Sequence, residues 1–300
     1  MRICVTGGLG FIGSHIVDAL LDKGHEVFIV DDLSTGSLDN YNDKAGLCTI
    51  DICNADALEK FFSAVRPEAV CHQAAQVSVG NSMRSPAGDA RTNIIGTLNI
   101  LDMCREYKCR RVVFSSSAAV YGDPQYLPVD EDHPKQPLSF YGLSKLTAEH
   151  YIRLYGENSF LTYAILRYAN VYGPRQKAEG EGGVVSVFAE GMNANGVCGI
   201  EGDGEQTRDF IYVKDIARLN CLALTHSGSF TANAGTGTGV AIRSLFCRMA
   251  ALKGYRKEAL EKPRREGDIR HSSLDSRLAR EILDWSPGYG LDEGLKDMLI

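Results

Sequence analysis

The sequence opens with a short apolar strand followed by three glycines at intervals of three residues. Gly7, Gly10 and Gly13 come directly after the apolar residues 1–5, and a helical pattern then continues to about Lys23. Glycines allow a tight turn and a close approach of the backbone, and a helix N-terminus favours a negatively charged group. A strand, a glycine turn and a helix in this order predict a unit that binds a dinucleotide by its pyrophosphate. An ordinary glycine-rich turn is the alternative.

A pair of acidic residues ends the second predicted strand. That strand covers residues 25–30, and Asp31 and Asp32 follow it. Asp31 lies 18 residues beyond Gly13. An acidic residue at this distance is expected to bond the adenosine ribose hydroxyls of a dinucleotide. Its charge would repel a 2′-phosphate, so the pair favours NAD over NADP.

Strands and helical patterns continue to alternate through the first half of the chain. Further strands are predicted at residues 47–50, 68–72, 111–115 and 162–166. Successive parallel crossovers predict an α/β fold with a doubly wound parallel sheet of the Rossmann type. Such a sheet binds its ligands at the carboxyl ends of the strands.

The pattern changes after residue 170, where glycine-rich turns and short elements replace the regular alternation. We therefore assign residues 1–170 to a dinucleotide-binding domain and residues 171–300 to a smaller C-terminal substrate-binding domain. A strand and a helix near 209–225 are expected to return to the first domain.

Tyr141 and Lys145 have the spacing of neighbours on one helix face. A cation one turn away favours the phenolate, which lets a tyrosine exchange a proton with a substrate hydroxyl. Ser117 follows the fifth predicted strand, so we expect it in the same crevice, where it could bond that hydroxyl. A serine that merely caps a turn is the alternative.

Two other strand ends carry candidate cofactor contacts. Asp51 and Ile52 follow the third strand and could contact adenine. Gln73, Ala74 and Ala75 follow the fourth strand, and small residues there let the backbone approach a cofactor. Small side chains in a crowded corner of the fold are an equally good explanation.

The composition excludes several classes of protein. A net charge of −6 and a pI near 5.7 give no basic footprint for nucleic acid or an anionic membrane. No apolar run approaches the ~20 residues of a membrane helix, and the chain starts on a strand, which leaves no room for a signal peptide. The nine cysteines form no C-x-x-C pair, which favours reduced thiols in a cytoplasmic protein and no metal site.

Seven motifs stand in one order along the chain: the glycine turn, Asp31-Asp32, SSSAAVYG at 115–122, YGLSK at 141–145, RYANVYGPRQ at 167–176, GDGEQTRDFIYV at 202–213 and RREGDI at 264–269. This pattern resembles the NAD-dependent epimerase/dehydratase family of the extended short-chain dehydrogenase/reductases. The resemblance covers nearly the whole chain, and within the family it is greatest to enzymes that act on UDP-glucose and UDP-galactose.

The resemblance implies a role for each matching position. Tyr141 would be the acid/base, Lys145 its electrostatic partner and Ser117 the residue that orients the hydroxyl. The residues that would hold NAD are Gly7, Gly10, Phe11, Ile12, Gly13, Asp31, Asp32, Asp51, Ile52, Gln73, Ala74, Ala75, Asn93, Tyr141, Lys145 and Tyr168. Those that would hold the nucleotide sugar are Ser117, Asn170, Val184, Arg208, Arg265, Asp268 and Ser272.

The resemblance also implies an activity, which is NAD-dependent epimerisation of a UDP-hexose at C4 through a transient 4-keto sugar. NAD would stay tightly bound and be regenerated in each turnover. UDP-N-acetylhexosamine or UDP-hexuronate 4-epimerisation, another modification of a nucleotide sugar, and a non-catalytic NAD-sensing role remain alternatives.

Three departures from the family patterns bear on the substrate. Ala118 and Ala119 replace the acidic residues that follow the matching serine in the 4,6-dehydratases and the UDP-glucuronate decarboxylases. Glu201 stands where many relatives place an aromatic residue on the base, and Ser272 stands where some epimerases carry a bulky tyrosine. The serine leaves room for an N-acetyl group beside the sugar.

The family resemblance further implies a homodimer. Helices near 88–107 and 141–157 are expected to pack against their symmetry mates, with Leu98, Leu101, Leu146 and Tyr151 as the candidate contacts. Burial of these residues inside the domain is the alternative.

Overall fold

The computed structural model describes residues 1–178, 183–264 and 269–300 of the chain. The strands in these ranges are β1 (Arg2–Thr6), β2 (Glu26–Asp31), β3 (Gly46–Thr49), β4 (Ala69–His72), β5 (Arg111–Ser117), β6 (Thr162–Tyr168), β7 (Asn170–Tyr172), β8 (Gly199–Glu201), β9 (Thr207–Tyr212), β10 (Phe230–Ala234), β11 (Gly239–Ala241) and β12 (Leu260–Lys262). The helices are α1 (Phe11–Asp22), α2 (Ala55–Val65), α3 (Val79–Arg84), α4 (Pro86–Ala90), α5 (Gly96–Glu106), α6 (Phe140–Glu157), α7 (Val184–Asn193), α8 (Val213–Thr225), α9 (Ile242–Lys253), α10 (Arg277–Leu283) and α11 (Leu291–Leu299). A π-helical turn, Arg91–Ile95, joins α4 to α5.

Seven parallel strands form the central sheet in the order β10-β6-β5-β4-β1-β2-β3. The predicted doubly wound parallel sheet is confirmed. The order reverses direction between β1 and β4, and a crevice forms at the carboxyl ends of strands at such a reversal. The glycine turn after β1 and the residues after β4 meet there.

The two faces of the sheet bury different side chains because strand residues alternate in direction. Ile3 and Val5 pack on one side with α1 and α8. Cys4 faces the other side, with α2, α5 and α6. Strands buried on both faces read as continuous apolar runs, which is why β1 and β4 were recognisable in the sequence.

Short elements of the C-terminal half build a second apolar cluster. The sheets β11-β9-β7 and β12-β8 lie with α7, α9 and α11 around Phe188, Leu245 and Met249. Both small sheets use strands of three to six residues, and such lengths explain the weak sequence signal in this half.

The expectation that a strand near residue 209 returns to the dinucleotide-binding domain was wrong. The strand near 209 is β9, which lies in the three-stranded sheet, whereas the seventh strand of the central sheet is β10 beside β6. The helix that follows it is α8, which packs against α1. The sequence of β10 (FTANA) has mostly small side chains and therefore a weak strand signal. Its place beside β6 is set by tertiary packing and not by local propensity. The division at residue 170 stays a prediction.

No helix in the described ranges combines the length and the apolar character that crossing a bilayer requires.

Candidate active site

The glycine turn after β1 leaves no room for side chains. Gly7 has φ +67°, and a Cβ there would lie 2.7 Å from the Ala74 nitrogen; a Cβ on Gly13 would lie 2.0 Å from the Gly7 oxygen. Helix α1 begins at Phe11 with Gly10 as its N-cap, and its first turn holds neither a side-chain cap nor an acidic residue. Backbone N–H groups therefore face outward at a positive helix end, which fits the pyrophosphate of a dinucleotide.

Asp31 and Asp32 differ in their surroundings at the end of β2. Asp31 is buried, and its carboxylate accepts hydrogen bonds from the backbone N–H groups of Leu9 and Leu33, both at 2.9 Å. Asp32 is exposed and accepts from the Ser34 N–H at 2.9 Å. Asp31 thus ties the glycine turn to the end of β2, a structural task that the sequence did not reveal. The ribose contact of either residue stays a prediction.

The loop after β3 is anchored to α5. Asp51 is exposed and accepts from the Cys53 N–H at 2.8 Å. Ile52 is buried, its carbonyl accepts from Asn99 Nδ2 at 2.9 Å, and a Cβ on Gly96 would lie 2.5 Å from its Cδ1 atom. The backbone of this loop is therefore fixed at the carboxyl edge of the sheet, where adenine was expected.

Gln73 and Tyr168 share a buried polar cluster. The Tyr168 hydroxyl accepts from Asn220 Nδ2 at 2.8 Å, and Gln73 Nε2 donates to Asn220 Oδ1 at 3.3 Å. Burial raises the pKa of Tyr168 well above its usual range. The backbone of Ala74, next along the chain, donates to the Thr6 hydroxyl at 3.2 Å, and Ala75 is half-buried. The cluster holds this corner against β1.

Tyr141 and Ser117 come together where α6 meets the end of β5. Ser139 caps α6 by accepting from the Gly142 N–H at 3.1 Å, and this places Tyr141 in the first turn. Burial raises the pKa of Tyr141, and the nearby Ser117 hydroxyl opposes that rise. The two residues therefore lie near one another, and the roles predicted for them stay predictions.

Lys145 lies one turn further along α6 and is buried. Its Nζ atom donates to the Ser115 carbonyl at 2.8 Å and lies 6.0 Å from the centre of the Tyr141 ring. Burial lowers the pKa of Lys145 to about 8, while the charges of Asp89 and Glu149 oppose the decrease. The sequence predicted a lowered tyrosine pKa, but it did not reveal the burial, which raises the pKa of Tyr141.

A buried ion pair behind β5 was missed in the sequence. Arg167 Nη2 and Glu149 Oε2 lie 2.7 Å apart, and a second bond joins Nε to Oε1 at 2.9 Å. The Ser116 hydroxyl donates to Glu149 Oε1 at 2.6 Å. Glu149 stands four residues after Lys145 on one face of α6, and that spacing was the only available signal.

His72 at the end of β4 was also missed. The Thr97 hydroxyl donates to the Asn93 carbonyl at 2.7 Å, so it accepts from His72 Nε2, 3.0 Å away. Nδ1 then accepts from the Thr6 hydroxyl at 2.7 Å. Burial lowers the pKa of His72 to about 3, so the ring is neutral and ties β1 to α5.

The predicted substrate residues cluster around β9. Arg208 lies in β9 and Ser272 donates its N–H to the Thr207 carbonyl at 3.2 Å, so both flank Thr207. Asn170 begins β7, paired with Phe210 of β9. Val184 begins α7. Arg265 and Asp268 lie outside the described residues.

A cavity of about 200 Å³ lies beside this cluster. It opens between the turn after β8 and the chain around Arg270, and its lining residues are Gly202, Asp203, Gln206, Arg264, Ile269 and Arg270. Arg270 and Asp203 form an ion pair at 2.8 Å across it. Gln206 Nε2 donates to the Glu201 carbonyl at 2.7 Å, so the position that departs from the family pattern is bonded to a residue that lines the cavity.

A Rossmann-type sheet with a glycine turn and a serine, tyrosine and lysine at one crevice defines a short-chain dehydrogenase/reductase. Residues 3–235 match the NAD dependent epimerase/dehydratase family, and the chain belongs to that family. The sequence resemblance is confirmed at this level, and NAD is the cofactor of the family.

Solved structures of relatives superpose over the whole chain. A UDP-glucose 4-epimerase of Thermotoga maritima, solved with UDP-glucose, is 44% identical with a TM-score of 0.98 and covers 100% of this chain and 97% of its own. A UDP-glucose 4-epimerase of Thermus thermophilus, solved with NAD, is 38% identical with a TM-score of 0.95, covering 100% and 98%. A UDP-N-acetylglucosamine 4-epimerase of Methanobrevibacter ruminantium is 35% identical with a TM-score of 0.94, covering 99% and 96%.

Proposed function

We propose that the protein is an NAD-dependent 4-epimerase that interconverts UDP-glucose and UDP-galactose. The observation that carries the proposal is the assembly of Tyr141, Ser117 and Lys145 at the carboxyl end of β5, in the same crevice as the glycine turn. A non-catalytic NAD sensor would have no need of this proton-transfer group.

The residues of the site divide the chemistry between them. Tyr141 takes the proton of the 4-hydroxyl and later returns one to the keto oxygen, while Ser117 orients that oxygen. Lys145, fixed on the Ser115 carbonyl, keeps a positive charge beside the tyrosine. NAD, when bound, supplies the oxidation and re-reduction of C4.

Epimerisation requires that the nucleotide is bound tightly and the sugar loosely, because the sugar must turn so that each face of C4 can meet the nicotinamide. Arginine forks suit the oxygens of a diphosphate. We assign the tight binding of the nucleotide to Arg208, together with Arg265 and Asp268 by family resemblance, and the contacts nearer the sugar to Asn170, Val184 and Ser272. The cavity beside Gln206 and Glu201 would take the base.

Ala118 and Ala119 favour epimerisation over the related reactions. They form the short turn that follows Ser117, where a dehydratase or decarboxylase requires an additional acid or base. An alanine side chain cannot exchange a proton, so the 4-keto sugar has no partner for elimination at this point.

UDP-N-acetylhexosamine is a second candidate substrate, and Ser272 is the observation that favours it. This side chain is half-buried beside Arg208, and a serine leaves the space that a tyrosine would fill. An open pocket still admits the smaller hexose, since clash discriminates better than a missing contact. We therefore propose turnover of both substrate types.

A panel of UDP-sugars tests the proposal. The protein should convert UDP-glucose, UDP-galactose and UDP-N-acetylglucosamine, and Ser272→Tyr should lower turnover of the N-acetylated sugar roughly tenfold or more, about 1.4 kcal/mol, while sparing the hexoses. Equal loss on both substrates, or none, would remove Ser272 from this role. No turnover of any UDP-sugar by NAD-loaded protein would contradict the proposed function.

We further propose a cytoplasmic homodimer. All nine cysteines carry free thiols, which suits a reducing compartment such as the cytoplasm.

The dimer is proposed through α6. Apolar side chains face solvent on one side of this helix, and Leu143, Tyr151 and Leu154 are 49%, 37% and 53% exposed. Of the four residues expected at the interface, Leu101 lies in the core, Leu98 and Leu146 are half-buried, and Tyr151 is exposed. The predicted contact through Leu101 was therefore wrong.

A further inference from the structure

Asp89 in α4 is a buried carboxylate close to the proposed catalytic pair. It is 2% exposed. Among the described residues, no lysine or arginine lies within ion-pair distance of it. Glu149, the other buried carboxylate on this side of β5, is paired with Arg167 at 2.7 Å. An unpaired buried charge is costly, so its retention at this place needs an explanation.

The carboxylate holds a bridge to the catalytic helix. Gln76 Nε2 and Asn93 Nδ2 both donate to Asp89 Oδ1, at 2.7 and 3.1 Å. Asn93 Nδ2 also donates to the Ser144 hydroxyl at 3.0 Å, which in turn donates to the Tyr141 carbonyl at 3.0 Å. A continuous chain of hydrogen bonds thus runs from Asp89 to the first turn of α6.

The charge of Asp89 also acts on Tyr141 and Lys145. The titratable groups around Lys145 are Asp89 from α4, Glu149 from α6 and His72 from β4. Glu149 is neutralised by its arginine, and His72 is neutral because its pKa is about 3. The charge of Asp89 acts to raise the pKa of both Tyr141 and Lys145.

We propose that Asp89 is a positioning residue for Tyr141 and Lys145: it holds the Asn93–Ser144 bridge and supplies the buried negative charge that balances the Lys145 ammonium. The geometry stands independently of the reaction. Only the kinetic part of the test rests on the proposed function.

Asp89→Asn separates the charge from the bridge. Both hydrogen bonds end on Oδ1, and an asparagine keeps an oxygen there while losing the charge. The test measures the chemical shift of the Lys145 ε-carbon by NMR across pH, and its midpoint gives the pKa of Lys145. The signal is assigned by its absence from the spectrum of Lys145→Arg. The parent should titrate near 8, and Asp89→Asn should lower the midpoint by roughly half a pH unit or more. An unchanged midpoint would overturn the proposal.

Asp215→Asn is the matched control, because Asp215 is equally buried but accepts from the Gly288 and Tyr289 N–H groups behind α8. It should leave the Lys145 midpoint where the parent has it. A shift as large as that in Asp89→Asn would assign the effect to general loosening and would contradict the proposal.

Turnover across pH adds a kinetic readout. Asp89→Asn should move both limbs of the kcat profile to lower pH, since Asp89 raises both pKa values. Asp89→Ala also removes the acceptor oxygen, so its kcat should fall below that of Asp89→Asn. A uniform loss in Asp89→Asn without movement of either limb would overturn the proposal. A parent inactive on every UDP-sugar would contradict the proposed function instead and leave the NMR test intact.

Discussion

At the scale of single residues, the chemistry of Tyr141 depends on opposing effects. Burial raises its pKa, and the nearby Ser117 hydroxyl opposes that rise. Lys145 stands 6.0 Å from the ring centre with its ammonium bound to a backbone carbonyl. A tyrosine in such a place holds its proton at rest, so it can take the proton of the 4-hydroxyl only as the phenolate, the form that the Lys145 ammonium favours.

Tyr141→Phe tests this role most simply. The substitution removes the hydroxyl that carries the proton and keeps the ring, so turnover should fall by roughly a thousandfold or more while NAD and UDP-sugar still bind. Steady-state kinetics and calorimetric titration measure the two properties. Activity within a few-fold of the parent would remove Tyr141 from the mechanism.

At the scale of elements, three consecutive serines join β5 to α6. The Ser115 carbonyl accepts from Lys145 and the Ser116 hydroxyl donates to Glu149, while Ser117 lies near the Tyr141 side chain. The strand and the helix therefore fix one another, and the proposed catalytic groups lie on regular structure rather than on a loop. Such placement keeps the groups in the geometry that proton transfer requires.

The glycine turn gives a prediction at the same scale. A Cβ on Gly13 would lie 2.0 Å from the Gly7 oxygen and force the turn open. Gly13→Ala should therefore weaken NAD binding roughly tenfold or more. Calorimetric titration of cofactor-stripped protein measures it. Gly290→Ala is the control, because Gly290 has φ −70° and a Cβ there meets nothing within 4 Å. Parent-like NAD affinity in Gly13→Ala would show that the turn tolerates the side chain.

The sequence predicted the features that depend on local pattern. The first six strands, the glycine turn and the Tyr141–Lys145 spacing each lie in a short stretch with its own signal. Features made by distant pairing were missed, including the Glu149–Arg167 ion pair and the position of β10. The burial of Asp31, which decides what its carboxylate binds, also follows from tertiary packing and not from the strand that carries it.

At the scale of the whole molecule, the exposed face of α6 is the strongest candidate for self-association. Its apolar side chains recur at the spacing of one helix face, which a two-fold axis would bring against itself. Leu154→Glu should weaken the dimer roughly tenfold or more by placing a charge in that contact. Val197→Glu, at a position 64% exposed and distant in the fold, should leave it intact. Light scattering at micromolar concentration decides, and a monomeric parent would contradict the prediction.

The most direct test of the account follows one hydrogen atom. UDP-glucose carrying deuterium at C4 is incubated in ordinary water with purified protein and no added NAD. We expect UDP-galactose that retains deuterium at C4, because the hydride leaves and returns within one site while Tyr141 exchanges only the hydroxyl proton. UDP-galactose with solvent hydrogen at C4 would rule out this mechanism.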